Sequence, residues 1–247
     1  MSNTAENPKR VICMKWGNKY GAEYVNRLYA MLGRTITGDF ELVCFTDSSV
    51  GIRDEVNLRP LPELDLPCGL PERGWNKLAA MNKDLGGLQG PVLFLDLDVV
   101  ITGNIDPLFT RAGRFLIIRD TKFRRKRVGN SSVFRFTIGE FADVLDHFVK
   151  NFDWVRTNFR NEQAYLSWAI DQRGALSFWP KEWCISFKYD CVKPWPMSYF
   201  FPPSLPNDAR IVIFHGHPLP DEAVNGVTHN WYRPIRRTRW ISKYWQS

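Results

Sequence analysis

The chain has 247 residues, 44% of them hydrophobic, which suffices for one domain with a substantial core. Its net charge of +7, unevenly placed, attracts phosphate-bearing partners, and with ten tryptophans its aromatic content is high. No apolar run reaches membrane-spanning length, the opening MSNTAENPKR lacks a signal peptide's apolar core, and the scattered cysteines (Cys13, Cys44, Cys68, Cys184, Cys191) include no Cys-x-x-Cys pair. The expectation is a cytoplasmic chain with reduced, packing thiols.

Residues 1–9 are polar and read as frayed. Residues 10–14 read as a first strand, and 16–21 as a loop. A helix is predicted over 23–32, with Tyr24, Leu28, Met31 and Leu32 on its apolar face. A second strand covers 41–45, and a Pro/Gly-rich loop covers 60–74. Residues 75–85 read as helical, with Gly86-Gly87 as the stop. The strand over 91–98 follows, then a short helix at Pro107 that Asp106 caps. Residues 115–119 and 132–136 read as strands, 141–152 and 162–171 as helices, 175–179 and 211–214 as late strands. Between the last two, 193–206 (KPWPMSYFFPPSLP) is a Pro- and aromatic-rich loop. No internal repeat or linker is evident. The economical architecture is a single α/β domain over 10–230, a mixed sheet with helices on both faces, followed by a basic, aromatic tail over 231–247.

Residues 91–109 (PVLFLDLDVVITGNIDPLF) carry the most information. An apolar run bearing Val92, Leu93, Phe94 and Leu95 reads as a buried parallel strand. Two carboxylates, Asp96 and Asp98, stand at its end, where burial is costly unless a cation meets them. On an extended segment they share one side and can converge on a hard divalent ion. In open α/β sheets this strand end is also where ligands bind. The plainer reading is a strand-end turn. Further pieces fall at element ends: Asn18-Lys19-Tyr20, Trp75-Asn76-Lys77-Leu78, Gly129-Asn130-Ser131-Ser132, Asn161-Glu162-Gln163 and His215-Gly216-His217-Pro218. Each alone is an ordinary turn or first helical turn.

Taken in order, from about residue 11 to 218, these pieces resemble the nucleotide-sugar-dependent glycosyltransferases of the GT-A fold. Family 8 is the nearest in pattern, the group of glycogenin and bacterial lipopolysaccharide galactosyl- and glucosyltransferases. FLDLDVVITGNIDPLF is similar to that family's strand, Asp-x-Asp and Asn-Ile-Asp-x-Leu-Phe; Asn130-Ser131-Ser132 resembles its Asn-Ser-Gly, and Glu162-Gln163 its Asp-Gln pair. The resemblance implies a Rossmann-like GT-A domain that moves a hexose, with retention, from a UDP-linked donor to a glycan or lipid-linked acceptor. It implies that Asp96, Asp98 and His215 hold Mn2+ or Mg2+. Tyr20 would stack on the base, with Asn18 near its edge, and Asp96 would also face the ribose. Lys77 would reach the donor sugar or diphosphate. Asn130, Ser131 and the catalytic pair Glu162 and Gln163 would touch the sugar ring, and Gly216 would line the diphosphate loop. The chain departs from the family at its final loop, which usually reads His-x-x-Gly-x-x-Lys-Pro-Trp. Here that loop is compressed to His215-Gly216-His217-Pro218-Leu219-Pro220 and lacks the lysine; His217, or a basic residue from 122–127, is the substitute.

Charge is uneven. Residues 119–127 (RDTKFRRKR) form a basic run. The tail interleaves Arg233, Arg236, Arg237, Arg239 and Lys243 with Trp231, Tyr232, Trp240, Tyr244 and Trp245. Such a surface suits peripheral contact with the anionic inner face of a membrane; the competing view is that Trp240 and Trp245 pack on the domain and the arginines merely face water. Nucleic acid is not expected, because no RNA-recognition or helix-turn-helix signature is present. Two other functions remain open on the sequence: a haloacid-dehalogenase-like phosphohydrolase with Asp96 as nucleophile, and a non-enzymatic lipid- or RNA-binding domain.

Overall fold

A computed structural model of the protein describes residues 8–64, 74–120 and 127–247. Cys68 and the basic residues at 122–126 lie outside the described residues. In chain order the elements are β1 (Lys9–Lys15), α1 (Ala22–Thr35), β2 (Phe40–Thr46), β3 (Asn57–Arg59), a 3-10 helix (Trp75–Met81), β4 (Pro91–Leu95), β5 (Val99–Ile101), α2 (Asp106–Thr110), β6 (Phe115–Arg119), β7 (Gly129–Thr137), α3 (Ala142–Lys150), α4 (Phe152–Asn158), α5 (Glu162–Gln172), β8 (Leu176–Phe178), β9 (Cys184–Ser186), a π-helical turn (Phe187–Cys191), a short 3-10 turn (Met197–Tyr199), β10 (Ile211–Ile213), α6 (Pro220–Asn225) and α7 (Arg239–Tyr244).

The main sheet has the order β3-β2-β1-β4-β7-β6-β8, and a small sheet has the order β5-β10-β9. β1 is parallel to β2 and β4, whereas β7 runs antiparallel to both β4 and β6. The expected mixed sheet flanked by helices is therefore the observed architecture. Alternation along the strands builds a core on each face. Val11, Cys13, Leu93 and Leu95 pack toward α1 and its stripe Tyr24, Val25, Leu28, Met31 and Leu32. Ile12, Met14, Val92 and Phe94 face the other way, into a core containing Phe115, Phe134 and Phe136. There Phe94 and Phe134 stack at 4.6 Å and Phe115 and Phe134 at 5.6 Å.

Several boundaries differ from the sequence reading. The motif strand ends at Leu95, and a turn at residues 97–98 follows Asp96. Aspartate favours turns over strand interiors, and after the Asp96 N–H bonds the Ser132 carbonyl (2.9 Å) the chain leaves for the small sheet. Asp96 thus stands just before the turn and Asp98 within it, and the two are not neighbours along one continuous strand. The segment at Trp75 is a 3-10 helix that stops at Met81, and Gly86-Gly87 make a separate turn with positive φ of 63° and 79°. The helix expected over 141–152 breaks at Asn151, which starts α4. Asp106 sits in the first turn of α2, whose cap position is Ile105; its carboxylate instead accepts from Lys9, the Thr37 N–H and Asn104.

Arg135 is buried on β7, and its guanidinium donates to the carbonyls of Leu108, Phe109, Arg111 and Gly113. It thereby closes the carbonyl end of α2, which a helix leaves unbonded. Residues near the end of the chain also belong to the fold. Ile235, Ile241 and Trp245 are buried in the first core. Arg34 donates to the carbonyls of Tyr244 and Gln246, and the Arg27 guanidinium lies 4.1 Å from the Trp245 ring centroid. Trp231 and Tyr232, by contrast, are exposed. No described helix is long and apolar enough to cross a membrane.

Candidate functional site

The carboxyl ends of β1 and β4 open into one cleft of about 440 Å³. The loop after β1 supplies Asn18 and Tyr20, and the segment after β4 supplies Asp96 and Asp98. The 3-10 helix supplies Lys77, the start of β7 supplies Asn130 and Ser131, the first turn of α5 supplies Glu162 and Gln163, and the residues after β10 supply His215 and Gly216. These residues lie up to about 200 positions apart in the chain, yet they line the same space.

Polar contacts tie the lining together. The Lys77 ammonium is 2.7 Å from Asp96 Oδ1 and donates to the Ser131 carbonyl and Oγ at 3.2 and 3.3 Å. The Ser131 hydroxyl donates to Glu162 Oε1 at 2.6 Å. The Tyr20 hydroxyl donates to Asp98 Oδ2 at 2.6 Å. Asn161 caps α5 by accepting from the Ala164 N–H, which fixes where Glu162 and Gln163 leave the helix. Gly74, at φ 77°, lies under Glu162: a Cβ there would come within 3.0 Å of its carboxylate.

Burial dominates the electrostatics. It raises the Asp98 carboxyl to about 6, with Asp96 adding to the shift and Tyr20 opposing it. Glu162 is raised for the same first reason, against the pull of Lys77 and Ser131. Burial disfavours the Lys77 ammonium, but Asp96 and Glu162 outweigh it, so its affinity for a proton is raised. The Tyr20 hydroxyl is pushed up by burial and by Asp98. Asp96, Asp98 and Glu162 thus surround one buried ammonium. Oxygen ligands with that excess of negative charge suit a hard divalent ion.

His215 lines the same cleft, with its Nε2 3.4 Å from the Ser186 hydroxyl and its ring stacked on Tyr189 at 5.5 Å. Asp96, Asp98 and His215 do not draw together to ligand distance as they stand. Among the described residues the one trio of such side chains with ligand atoms within 4.8 Å of one another is His217, Glu222 and His229. The donor types fit a divalent ion, and the two aspartates would exchange Lys77 and Tyr20 for it.

His217 is not brought to the cleft with the other expected residues. The chain turns at Gly216 (φ 66°), and the exposed His217 ring bonds Glu222 at 2.8 Å instead of lining the cleft. A cation beside Gly216, which the sequence did not reveal, is Lys188. Its ammonium donates to the His215 carbonyl at 2.6 Å and stands 3.7 Å from where a Gly216 Cβ would be. Lys188 sits in the π-helical turn after β9, a three-residue strand with no sequence signal of its own. A second hollow of about 550 Å³ adjoins the cleft, sharing Asn130, Gln163 and His215 and adding Trp179, Ser186 and Tyr189.

No protein-family model matches the chain, and no curated protein does. Solved structures are similar in fold. The galactosyltransferase LgtC, in complex with donor and acceptor sugar analogues, aligns with a TM-score of 0.56 at 13% identity, over 85% of this chain and 88% of its own. The apo-form glycosyltransferase GlyE of Streptococcus pneumoniae TIGR4 aligns with a TM-score of 0.60 at 13% identity, over 96% of this chain and 60% of its own. The apo bifunctional glycosyltransferase WbbM gives 0.55 at 11% identity, over 89% of this chain and 48% of its own. The chain has the GT-A-type fold that the sequence motifs implied.

Proposed function

We propose that the protein is a divalent-ion-dependent glycosyltransferase. In this reading it moves a hexose from a UDP-linked donor to a glycan or lipid-linked hydroxyl, with retention at the anomeric carbon. One observation carries the reading: two aspartates, a buried lysine, the Ser131–Glu162 pair, Gln163 and His215 line one cleft at the strand ends of a glycosyltransferase-type fold.

Asp96, Asp98 and His215 would hold Mn2+ or Mg2+. The bound ion supplies positive charge where the leaving diphosphate becomes more negative. Tyr20 and Asn18 form the nucleoside end of the cleft. Lys77 and Asp96 orient the donor between them, and Lys188 is the cation on the Gly216 side that the shortened final loop otherwise lacks. The wall of Asn130, Ser131, Glu162 and Gln163 holds the sugar ring by its hydroxyls. Asn130, Gln163 and His215 border both hollows, so the adjoining space is the acceptor side, and an acceptor bound there excludes water from the reacting centre. The acceptor hydroxyl must approach on the face that the diphosphate leaves.

Peripheral membrane contact belongs to the same reading. Trp195, Phe200, Trp231 and Tyr232 are exposed. The Tyr199 hydroxyl donates to the Trp231 carbonyl and Arg236 to the Tyr199 carbonyl, joining the two aromatic segments beside exposed arginines. Anionic lipid attracts such a face by ~1 kcal/mol per basic residue near the surface. Paired Phe200→Ser and Trp231→Ser substitutions, scored by vesicle flotation at low salt, test it.

Calorimetry with UDP and Mn2+, followed by a screen of donor hydrolysis across nucleotide sugars, tests the activity. Ion-dependent UDP binding with turnover of one UDP-hexose is expected. Absence of UDP binding in the presence of the ion overturns the reading. Aspartate-dependent cleavage of acyl-phosphate mimics would favour a phosphohydrolase instead.

A further inference from the structure

We propose that His217, Glu222 and His229 form a second cation site, outside the cleft, that takes a borderline transition ion of the Zn2+ class. One ligand atom from each lies within 4.8 Å of the other two. His217 Nδ1 is 2.8 Å and His229 Nε2 is 3.2 Å from the same oxygen, Glu222 Oε2. The two rings stand 4.3 Å apart between centroids. Ligand atoms around a tetrahedral zinc stand about 3.3 Å apart, given metal–ligand bonds of ~2.0–2.1 Å.

The hydrogen bonding of Glu222 shows why a cation fits better than protons. Its Oε2 also accepts the Leu219 N–H at 2.7 Å. The His217 ring nitrogen bonds both carboxylate oxygens, Oε2 at 2.8 Å and Oε1 at 3.1 Å, so with the Leu219 N–H the roughly two lone pairs of Oε2 are already engaged when His229 comes to 3.2 Å of it. Neutral imidazoles presenting lone pairs to a shared ion remove the crowding. The Leu219 contact then becomes the outer support that orients the carboxylate, as such contacts do around metals. The chain leading to the third residue is tied to α6: the Val227 N–H bonds the Glu222 carbonyl at 2.9 Å, two residues before His229.

The ligand chemistry separates this site from the cleft. Two imidazoles and one carboxylate select zinc, cobalt, nickel or copper over magnesium and manganese, whereas the paired aspartates suit hard ions. The side chains of His217 and His229 are 58% and 35% exposed, which leaves an entry path and a fourth position for water. An ion there fastens the loop that follows Gly216 to the segment that follows α6. The site does not depend on the glycosyl-transfer reading.

The test uses tag-free, chelator-treated full chain carrying Asp98→Asn, which weakens the cleft as a metal site. Zn2+, Co2+ and Mg2+ are titrated by calorimetry, with Co2+ absorption as a report of coordination number. One equivalent of Zn2+ is expected to bind at least roughly 100-fold tighter than Mg2+, with a rise in Tm. Adding His229→Ala, at an exposed loop position, should weaken Zn2+ at least tenfold and abolish the Tm rise. Glu222→Gln, which keeps an acceptor for the Leu219 N–H, should do the same. Failure of the Asp98→Asn chain to take up Zn2+, or Zn2+ affinity indifferent to both added substitutions, overturns the proposal.

Discussion

Replacing Asp98 by asparagine should do two opposite things. Asp98 is 6% exposed, and burial with the neighbouring Asp96 raises its carboxyl to about 6. An unfolded aspartate titrates near 4. The folded chain therefore binds this proton more tightly than the unfolded chain. The contribution to stability is fully present below about pH 4 and is lost as pH rises through about 6. Two units correspond to about 3 kcal/mol, an upper figure because the two aspartates titrate together. Asparagine keeps the shape and can still accept the Tyr20 hydroxyl, but carries no charge. Metal-free Asp98→Asn protein should thus be more stable than the parent by about 1–3 kcal/mol at pH 8, with the gap closing toward pH 4. The same protein should lose ion-dependent UDP binding. Urea unfolding at several pH values in chelator, with calorimetry alongside, reads both. A variant less stable than the parent by a pH-independent amount, or one that binds Mn2+ and UDP like the parent, would refute the account of the buried pair.

Two structural predictions stand apart from the chemistry. Arg135→Leu should lower stability by about 2–4 kcal/mol, read as a shift in urea midpoint, because four carbonyls around the end of α2 lose their donor; an unchanged midpoint would mean that water replaces the guanidinium freely. Ending the chain at His229 should prevent folding: it removes the buried Ile235, Ile241 and Trp245, and losses of ~2–5 kcal/mol each approach a whole domain's stability. A truncated protein with a cooperative thermal transition like the parent's would show that the tail is only a surface appendage.

What the sequence made legible follows from how strongly each segment is determined locally. β1, β2 and β4 are apolar runs buried on both faces, and α1 shows its stripe at helical spacing. Asp96 and Asp98 stood out because carboxylates interrupt such a run. Elsewhere the determinants are distant in the chain. β9 is three residues long and exists because β10 pairs with it, so neither Ser186 nor Lys188 could be placed beside His215. His217 looked like a diphosphate contact, but Glu222, five residues on, reaches back to the start of α6 and captures it. In the tail, packing of Trp245 was one of the two alternatives the sequence offered, while the density of arginine hid Ile235 and Ile241, which anchor it too.

The pairing of the small sheet explains why His215 lines the same cleft as the aspartates. Ile213 pairs with Val99 in an antiparallel register, and Ile211 with Ile101. Continuing that register by two residues brings His215 abreast of the segment that carries Asp96 and Asp98. The placement is thus a consequence of strand register, and register can be altered on its own. Inserting a glycine between Phe214 and His215 leaves the β10 pairs and the Phe187–Phe214 stack at 4.6 Å in place. It moves His215 along the chain by about 3.3 Å, the rise of one strand residue. Metal–ligand bonds tolerate only about 0.2 Å. The insertion should therefore leave Tm within a few degrees of the parent and weaken Mn2+-dependent UDP binding at least tenfold. Unchanged binding with an unchanged Tm would mean that His215 does not serve the ion, and the cleft's divalent chemistry would then rest on the aspartates alone.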